Sequence, residues 1–240
     1  MGKCLNCGET SPLIAKAVGV CGDCIRNDFL EVREHLETVH RSEREEFGLP
    51  GSVPKTEGGV NCGVCVNECK IGVGERGFCG IREVEKGKVI AKEGMLDWYY
   101  DPLPTNCVGD WVCPGGTSAG YPEYSYGDRP EYGYKNLAVF YRACSFDCLF
   151  CQNWHFRENS PMRRLLSPEE LAEKVDWQTS CICYFGGDPT PQILHSIKTS
   201  KIALKNKESR ILRTCWETNG SVSPKYLERM AGLSLETGGC

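Results

Sequence analysis

A chain of 240 residues with 40% hydrophobic and 25% charged residues has the composition of a packed globular protein, and its length allows one large domain or up to three smaller ones. The net charge of -4 argues against the broad basic field of a nucleic-acid binder, and no apolar run approaches the roughly 20 residues of a membrane span. Seventeen cysteines, an odd number and mostly in CxxC-type groups, begin close behind an N-terminus that lacks an apolar leader; this predicts metal ligation in a reducing, cytoplasmic setting rather than a disulfide framework.

Three segments follow in chain order. The first, 1–47, holds Cys4, Cys7, Cys21 and Cys24, then a Glu- and Arg-rich stretch in which Leu30, Val32, Leu36, Val39 and Phe47 recur at roughly helical spacing, predicting one exposed, charged helix. Gly48, Pro50, Gly51 and Pro54 form a linker into the second segment, 48–135, which is rich in Gly, Pro and Tyr and predicts little regular structure. It carries Cys62, Cys65, Cys69 and Cys79, then Cys107 and Cys113. The third segment, 136–240, alternates. Strands are predicted over 137–141, 181–185 and 211–216, and helices from Ser167 to about 175, over 192–205 and from Pro224. Ser167-Pro168-Glu169-Glu170 supplies a cap, a first-turn proline and first-turn acids. Alternation of strand and helix predicts an α/β fold with a parallel sheet.

Chemistry concentrates after each predicted strand. Cys144-Ser-Phe-Asp-Cys148-Leu-Phe-Cys151 offers three thiolates, enough for three irons of a [4Fe–4S] cluster with one iron left open. Gly186-Gly187-Asp188-Pro189 follows the second strand and Glu217-Thr218-Asn219-Gly220 the third, so all three motifs fall at strand C-terminal ends, where barrel enzymes place their active sites. The spacing of Cys4, Cys7, Cys21 and Cys24 suits a zinc ribbon or a rubredoxin-like iron site. Cys62, Cys65, Cys69 and Cys79 suit zinc or a second Fe–S cluster. Cys107 and Cys113 are further ligands or plain thiols, Cys181, Cys183 and Cys215 read as small strand hydrophobes, and His155 stands near the cluster motif.

The CxxxCxxC motif after the first strand resembles the signature of the radical S-adenosylmethionine (SAM) superfamily. Cys151-Gln152-Asn153-Trp154 and the cysteine-rich lead-in from Cys62 to Arg82 resemble the group related to pyruvate formate-lyase activating enzyme, with Val66 where a proline is common and Asp188 where Glu is usual. The resemblance implies the N-terminal half of a partial (β/α)6 barrel. It also implies that SAM chelates the open iron, that an electron from the reduced cluster cleaves SAM to a 5′-deoxyadenosyl radical, and that this radical abstracts hydrogen from a substrate. Phe150, Gly186, Gly187, Asp188, Pro189, Glu217 and Asn219 are the positions it assigns to SAM. A ferredoxin- or flavodoxin-like donor and a substrate, a protein among the candidates, are the implied partners. Only three strand–helix units precede Cys240, so the expectation is a truncated barrel with a bare third-strand edge. The alternatives are a non-catalytic metal-binding module or an inactive fragment.

Overall fold

The computed structural model describes residues 1–105, 107–158, 165–206 and 210–240. They form two compact units, Met1–Ser52 and Val53–Cys240.

In the first unit, β1 (Gly2–Lys3) pairs antiparallel with β2 (Thr10–Ser11), and two helices follow, α1 (Gly22–Asn27) and α2 (Phe29–Glu46). The single helix expected over 25–47 is therefore broken at Asp28, whose φ of -122° and ψ of 33° leave the helical region. Nor is α2 a free charged rod. Its Val32 and Leu36 pack on Cys4, Ile14, Val20, Cys21 and Cys24, and Arg44 is buried with Nε donating to the Pro50 carbonyl at 2.8 Å. A core this small contributes little by apolar burial alone.

The second unit opens with two short antiparallel ladders, β3 (Val60–Asn61) with β4 (Lys70–Ile71) and β5 (Arg82–Glu85) with β6 (Lys88–Ala91). Then come β7 (Leu96–Pro102), α3 (Pro114–Thr117), β8 (Lys135–Tyr141), α4 (Pro168–Ala172), β9 (Thr179–Gly186), α5 (Ile193–Asn206), β10 (Arg213–Trp216) and α6 (Pro224–Thr237). The main sheet has the order β10-β9-β8-β7. β8, β9 and β10 run parallel, as the alternation predicts, while β7 adds an antiparallel edge.

That edge is the main departure from the sequence reading of 48–135 as loop. Trp98, Tyr99 and Tyr100 are not loop aromatics but part of a seven-residue strand in register with β8. Aromatic residues favour strands, and the nearby Gly and Pro residues mask that signal. Gln192 pins the start of β7: its Oε1 accepts from the N–H of Gly94 at 2.7 Å and of Met95 at 3.0 Å. The third-strand edge is also not bare. The Trp216 N–H donates to the Cys240 carbonyl at 2.9 Å, and the Thr214 N–H donates to Thr237 Oγ1 at 3.0 Å.

Strand periodicity divides the sheet into two faces. Leu137, Val139, Tyr141, Ile182, Tyr184 and Trp216 pack on Leu171, Ile193, Ile197 and Leu233 of the helices. Asn136, Ala138, Phe140, Cys181, Cys183, Arg213 and Cys215 occupy the alternate positions, on the opposite face. α4 begins with the expected cap, a complete capping box between Ser167 and Glu170.

The helix-covered face hides several polar groups that have hydrogen-bond partners. Trp216 Nε1 donates to Ser196 Oγ at 3.0 Å, and the Tyr184 and Ser200 hydroxyls lie 2.9 Å apart. His195 Nδ1 lies 2.8 Å from the Tyr141 hydroxyl and Nε2 lies 2.9 Å from the Leu166 carbonyl. A carbonyl only accepts, so Nε2 carries the proton and Nδ1 accepts from Tyr141. Burial holds the His195 pKa below its usual 6.5 despite the pull of the Leu166 carbonyl and Glu169. The unfolded chain therefore binds a proton that the folded chain refuses, and stability falls as pH drops through about 6.5. Melting temperature measured across that pH range should show this slope, and His195→Gln should flatten it.

Candidate active site

The loop leaving β8 is built around its first cysteine. Cys144 is buried, and the backbone N–H groups of Phe146 and Asp147 each donate to its Sγ at 3.4 Å. The turn needs a left-handed residue, which Asp147 supplies at φ 59°. Asp147 is held there by Arg157: both side chains are almost wholly buried, and Arg157 Nε donates to Asp147 Oδ1 at 2.5 Å. Arg157 also donates to the Cys148 carbonyl at 3.3 Å, and the Cys151 N–H closes onto that same carbonyl at 3.0 Å. Cys148 and Cys151 are half-buried. Burial pushes the Cys144 thiol up to about 11, against the donated N–H bonds. Without a cation it stays protonated, and a bound metal reverses that preference. Three thiols on one loop, with backbone donors aimed at the deepest, fit an iron–sulfur cluster.

Asp188 joins the ends of three strands. It is buried, and its carboxylate accepts from Ser145 Oγ at 3.2 Å, the Thr190 N–H at 3.2 Å, Thr218 Oγ1 at 2.7 Å and the Asn219 N–H at 3.2 Å. Asn219 Nδ2 in turn reaches Ser145 Oγ at 3.0 Å and Cys144 Sγ at 3.7 Å. The motifs after β8, β9 and β10 are thus one hydrogen-bonded unit. Burial raises the Asp188 pKa, although all four donors oppose it. Asp188→Ala leaves the Thr218 hydroxyl and the Asn219 N–H without their acceptor, and urea unfolding should show a loss of about 2–4 kcal/mol.

The two glycines before Asp188 answer to packing against the end of β8. Gly186 has φ 111°, and a Cβ there would lie 2.6 Å from the Tyr141 nitrogen; at Gly187 it would lie 2.3 Å from the Ala143 carbonyl oxygen. Pro189 leads into a short 3-10 turn, Thr190–Gln192. Phe150 is 88% exposed on the cysteine loop. The His155 ring stacks on Phe140, with centroids 4.8 Å apart.

A cavity of about 350 Å³ opens on the helix-free face, within the ordinary size range of small-molecule sites. Its walls include Asp101, Gln152, Asn153, Cys183, Phe185 and Glu217. Glu217 is the one SAM-assigned residue in this wall; burial raises its pKa, and Cys183 Sγ lies 3.6 Å from its Oε1. Asp101 and Cys183 carried no functional signal in the sequence, because only the fold sets their strands on either side of β8. Gln152 and Asn153 did carry one, as the extension behind Cys151.

Of the two further cysteine groups, only the first brings its thiols within metal-binding distance of one another among the described residues. Cys4, Cys7, Cys21 and Cys24 place their Sγ atoms all within 4.8 Å of one another and could hold a metal ion. Hydrogen bonds from the Cys7 and Cys21 backbone pull Cys4 down to about 6. Asn6 donates to Cys24, yet burial and the three neighbouring thiols push it up to about 12. Cys62, Cys65, Cys69 and Cys79 line one small cavity of about 10 Å³, and burial raises the last three.

Residues 138–237 match the model of the Radical SAM superfamily, and this span includes the cysteine loop and both following motifs. The chain contains a radical SAM superfamily domain. It is 29% identical over 105 residues to the uncharacterized protein MJ0674 of Methanocaldococcus jannaschii, a match covering 40% of this chain and 29% of that protein. It is 28% identical over 177 residues to the uncharacterized protein MJ0808 of the same organism, covering 71% of this chain and 46% of that protein. The matched stretch of the chain thus spans less than half the length of these curated relatives. No solved structure matches the chain significantly. Among the described residues no helix is long and apolar enough to cross a membrane.

Proposed function

We propose that the radical SAM domain is the catalytic part of an iron–sulfur enzyme that binds a [4Fe–4S] cluster through Cys144, Cys148 and Cys151. One observation carries this reading: the cysteine loop, Asp188 and Asn219 form a single hydrogen-bonded unit at three successive strand ends, beside a cavity of about 350 Å³. When bound and reduced, the cluster supplies the electron that cleaves SAM to a 5′-deoxyadenosyl radical. The residues of the chain do the positioning. Asn219 holds the Ser145 hydroxyl beside Cys144, Asp188 fixes the loop ends, and Glu217 brings a carboxyl into the cavity. The exposed Phe150 ring is free to stack on an adenine.

Resemblance of the lead-in and of Gln152-Asn153-Trp154 to glycyl-radical activases supports hydrogen abstraction from a protein substrate. The reading needs a reducing, cytoplasmic compartment and a ferredoxin- or flavodoxin-like donor. The remainder of a (β/α)6 barrel, completing SAM binding, belongs to this proposal. The tight Cys4 group suits structural zinc, since Cys4–Cys24 and Cys7–Cys21 Sγ separations of 3.8 and 3.7 Å match the edge of a Zn–thiolate tetrahedron with bonds of about 2.3 Å. For the group from Cys62 to Cys79, the small cavity favours one ion over a second cluster.

Anaerobic reconstitution with iron and sulfide, then dithionite and SAM, tests the function. The chain should yield 5′-deoxyadenosine, in greater amount when extended to the length of its relatives. Zinc in place of iron at Cys144, Cys148 and Cys151 would contradict it.

A further inference from the structure

The lead-in from Val64 to Asn67 lies directly against the candidate active site. The Val66 N–H donates to the Ser221 carbonyl at 2.8 Å, the Ser223 N–H donates to the Val64 carbonyl at 2.9 Å, and Cys65 pairs with Val222 as an antiparallel bridge. This clamp delivers one side chain to the cysteine loop. Asn67 Nδ2 donates to the Ser145 carbonyl at 2.7 Å, across 78 residues of sequence. An asparagine on a loop most simply bonds its own turn. Here Lys55 Nζ holds that turn instead, donating to the Asn67 and Glu68 carbonyls at 3.0 Å each.

The carbonyl that Asn67 bonds belongs to the peptide unit whose N–H faces Cys144. Phe146 N is the other end of that unit, and it donates to Cys144 Sγ at 3.4 Å. Ser145 is wholly buried, and its hydroxyl is fixed as well, 2.5 Å from the Ser221 hydroxyl and 3.2 Å from Asp188 Oδ2. Asn67 therefore helps to set the tilt of the Ser145–Phe146 peptide. A bond accepted by the carbonyl also polarises the N–H of the same unit, which strengthens its hydrogen bond to sulfur.

Resting on the cluster proposed for Cys144, Cys148 and Cys151, we propose that Asn67 is a positioning residue that raises the reduction potential of that cluster through the Ser145–Phe146 peptide. Donors aimed at cluster sulfur favour the reduced form, which carries one more negative charge. Asn67 lies outside the span 138–237 that matches the superfamily, and its role needs no metal at the cysteines on either side of it. The lead-in then acts on the electron-accepting step instead of being a separate metal-binding appendage.

Redox titration of the reconstituted 240-residue chain, followed by electron paramagnetic resonance of the reduced cluster, reads this directly. In Asn67→Ala the ratio of reduced to oxidised cluster at a fixed potential should fall about three- to tenfold, which is roughly 30 to 59 mV in midpoint for one electron. Asn67→Asp is isosteric, its ionised carboxylate only accepts, and it should lower the midpoint at least as far. Iron and sulfide per chain should stay at the wild-type level in both. Val66→Ala trims the neighbouring side chain, which is 60% exposed, and should leave the midpoint unchanged. A wild-type midpoint in both Asn67 variants would overturn the inference and leave the cluster reading intact. An equal shift in Val66→Ala would also overturn it. So would loss of iron from both Asn67 variants, because Asn67 would then hold the loop together and not tune it. A wild-type chain without iron at Cys144, Cys148 and Cys151 would overturn the cluster reading and this inference together.

Discussion

Cys144→Ser is expected to remove the four irons of the reconstituted cluster and reduce SAM cleavage to background, while the metal held by the Cys4 group is retained. Cys144 is the deepest of the three proposed ligands and the one on which the Phe146, Asp147 and Asn219 donors converge. A serine oxygen is a poor iron ligand beside a thiolate, and an alkoxide is far harder to form than a thiolate. Iron and sulfide per chain, and 5′-deoxyadenosine after dithionite, check the two halves of the result. Zinc retained at the site proposed for the Cys4 group would show that the loss is local.

Glu131→Gln is expected to cost about 3–5 kcal/mol, because it leaves a buried guanidinium without its counter-charge. Arg213 and Glu131 are both fully inaccessible at their side chains and meet through two bonds, Nη1–Oε1 at 2.9 Å and Nη2–Oε2 at 2.6 Å. Arg213 also donates to the Tyr124 carbonyl at 2.7 Å and to Ser180 Oγ at 2.8 Å, tying the stretch before β8 to β9 and β10. Burial works against the charged form of Glu131, but Arg213 outweighs it and holds the carboxyl below its usual 4.5. The unfolded chain takes up that proton first as pH falls. The pair's contribution is therefore present above about 4.5 and lost below it. Denaturant midpoints at neutral and mildly acidic pH, for the wild type and Glu131→Gln, measure both effects.

Local features of the sequence were readable where local chemistry decides them. The alternation of apolar strands with capped helices located β8, β9, β10, α4, α5 and α6, because Ser167-Pro168-Glu169-Glu170 and the flanking glycines act within a few residues. The three strand-end motifs were legible for the same reason. What Asp188 does was not. Its type suggests a ligand contact, yet its carboxylate accepts four bonds from the protein, from groups up to 43 residues away in sequence. Long-range pairing also hid β7, whose partner β8 begins beyond a stretch full of Gly, Pro and Tyr. Cys181, Cys183 and Cys215 look like strand filler until the fold brings Cys107, Cys113 and Cys240 against them. His195, silent in the sequence, gains its pH dependence from burial in the fold, where Tyr141 and the Leu166 carbonyl occupy its two ring nitrogens.

Electron paramagnetic resonance of the reduced, reconstituted chain with and without SAM tests the central claim most directly. If Cys144, Cys148 and Cys151 leave one iron open, the reduced [4Fe–4S] signal should appear, change on adding SAM, and vanish in Cys144→Ser. A cluster signal that SAM does not alter, or one that persists in Cys144→Ser, would contradict a SAM-binding cluster on this loop.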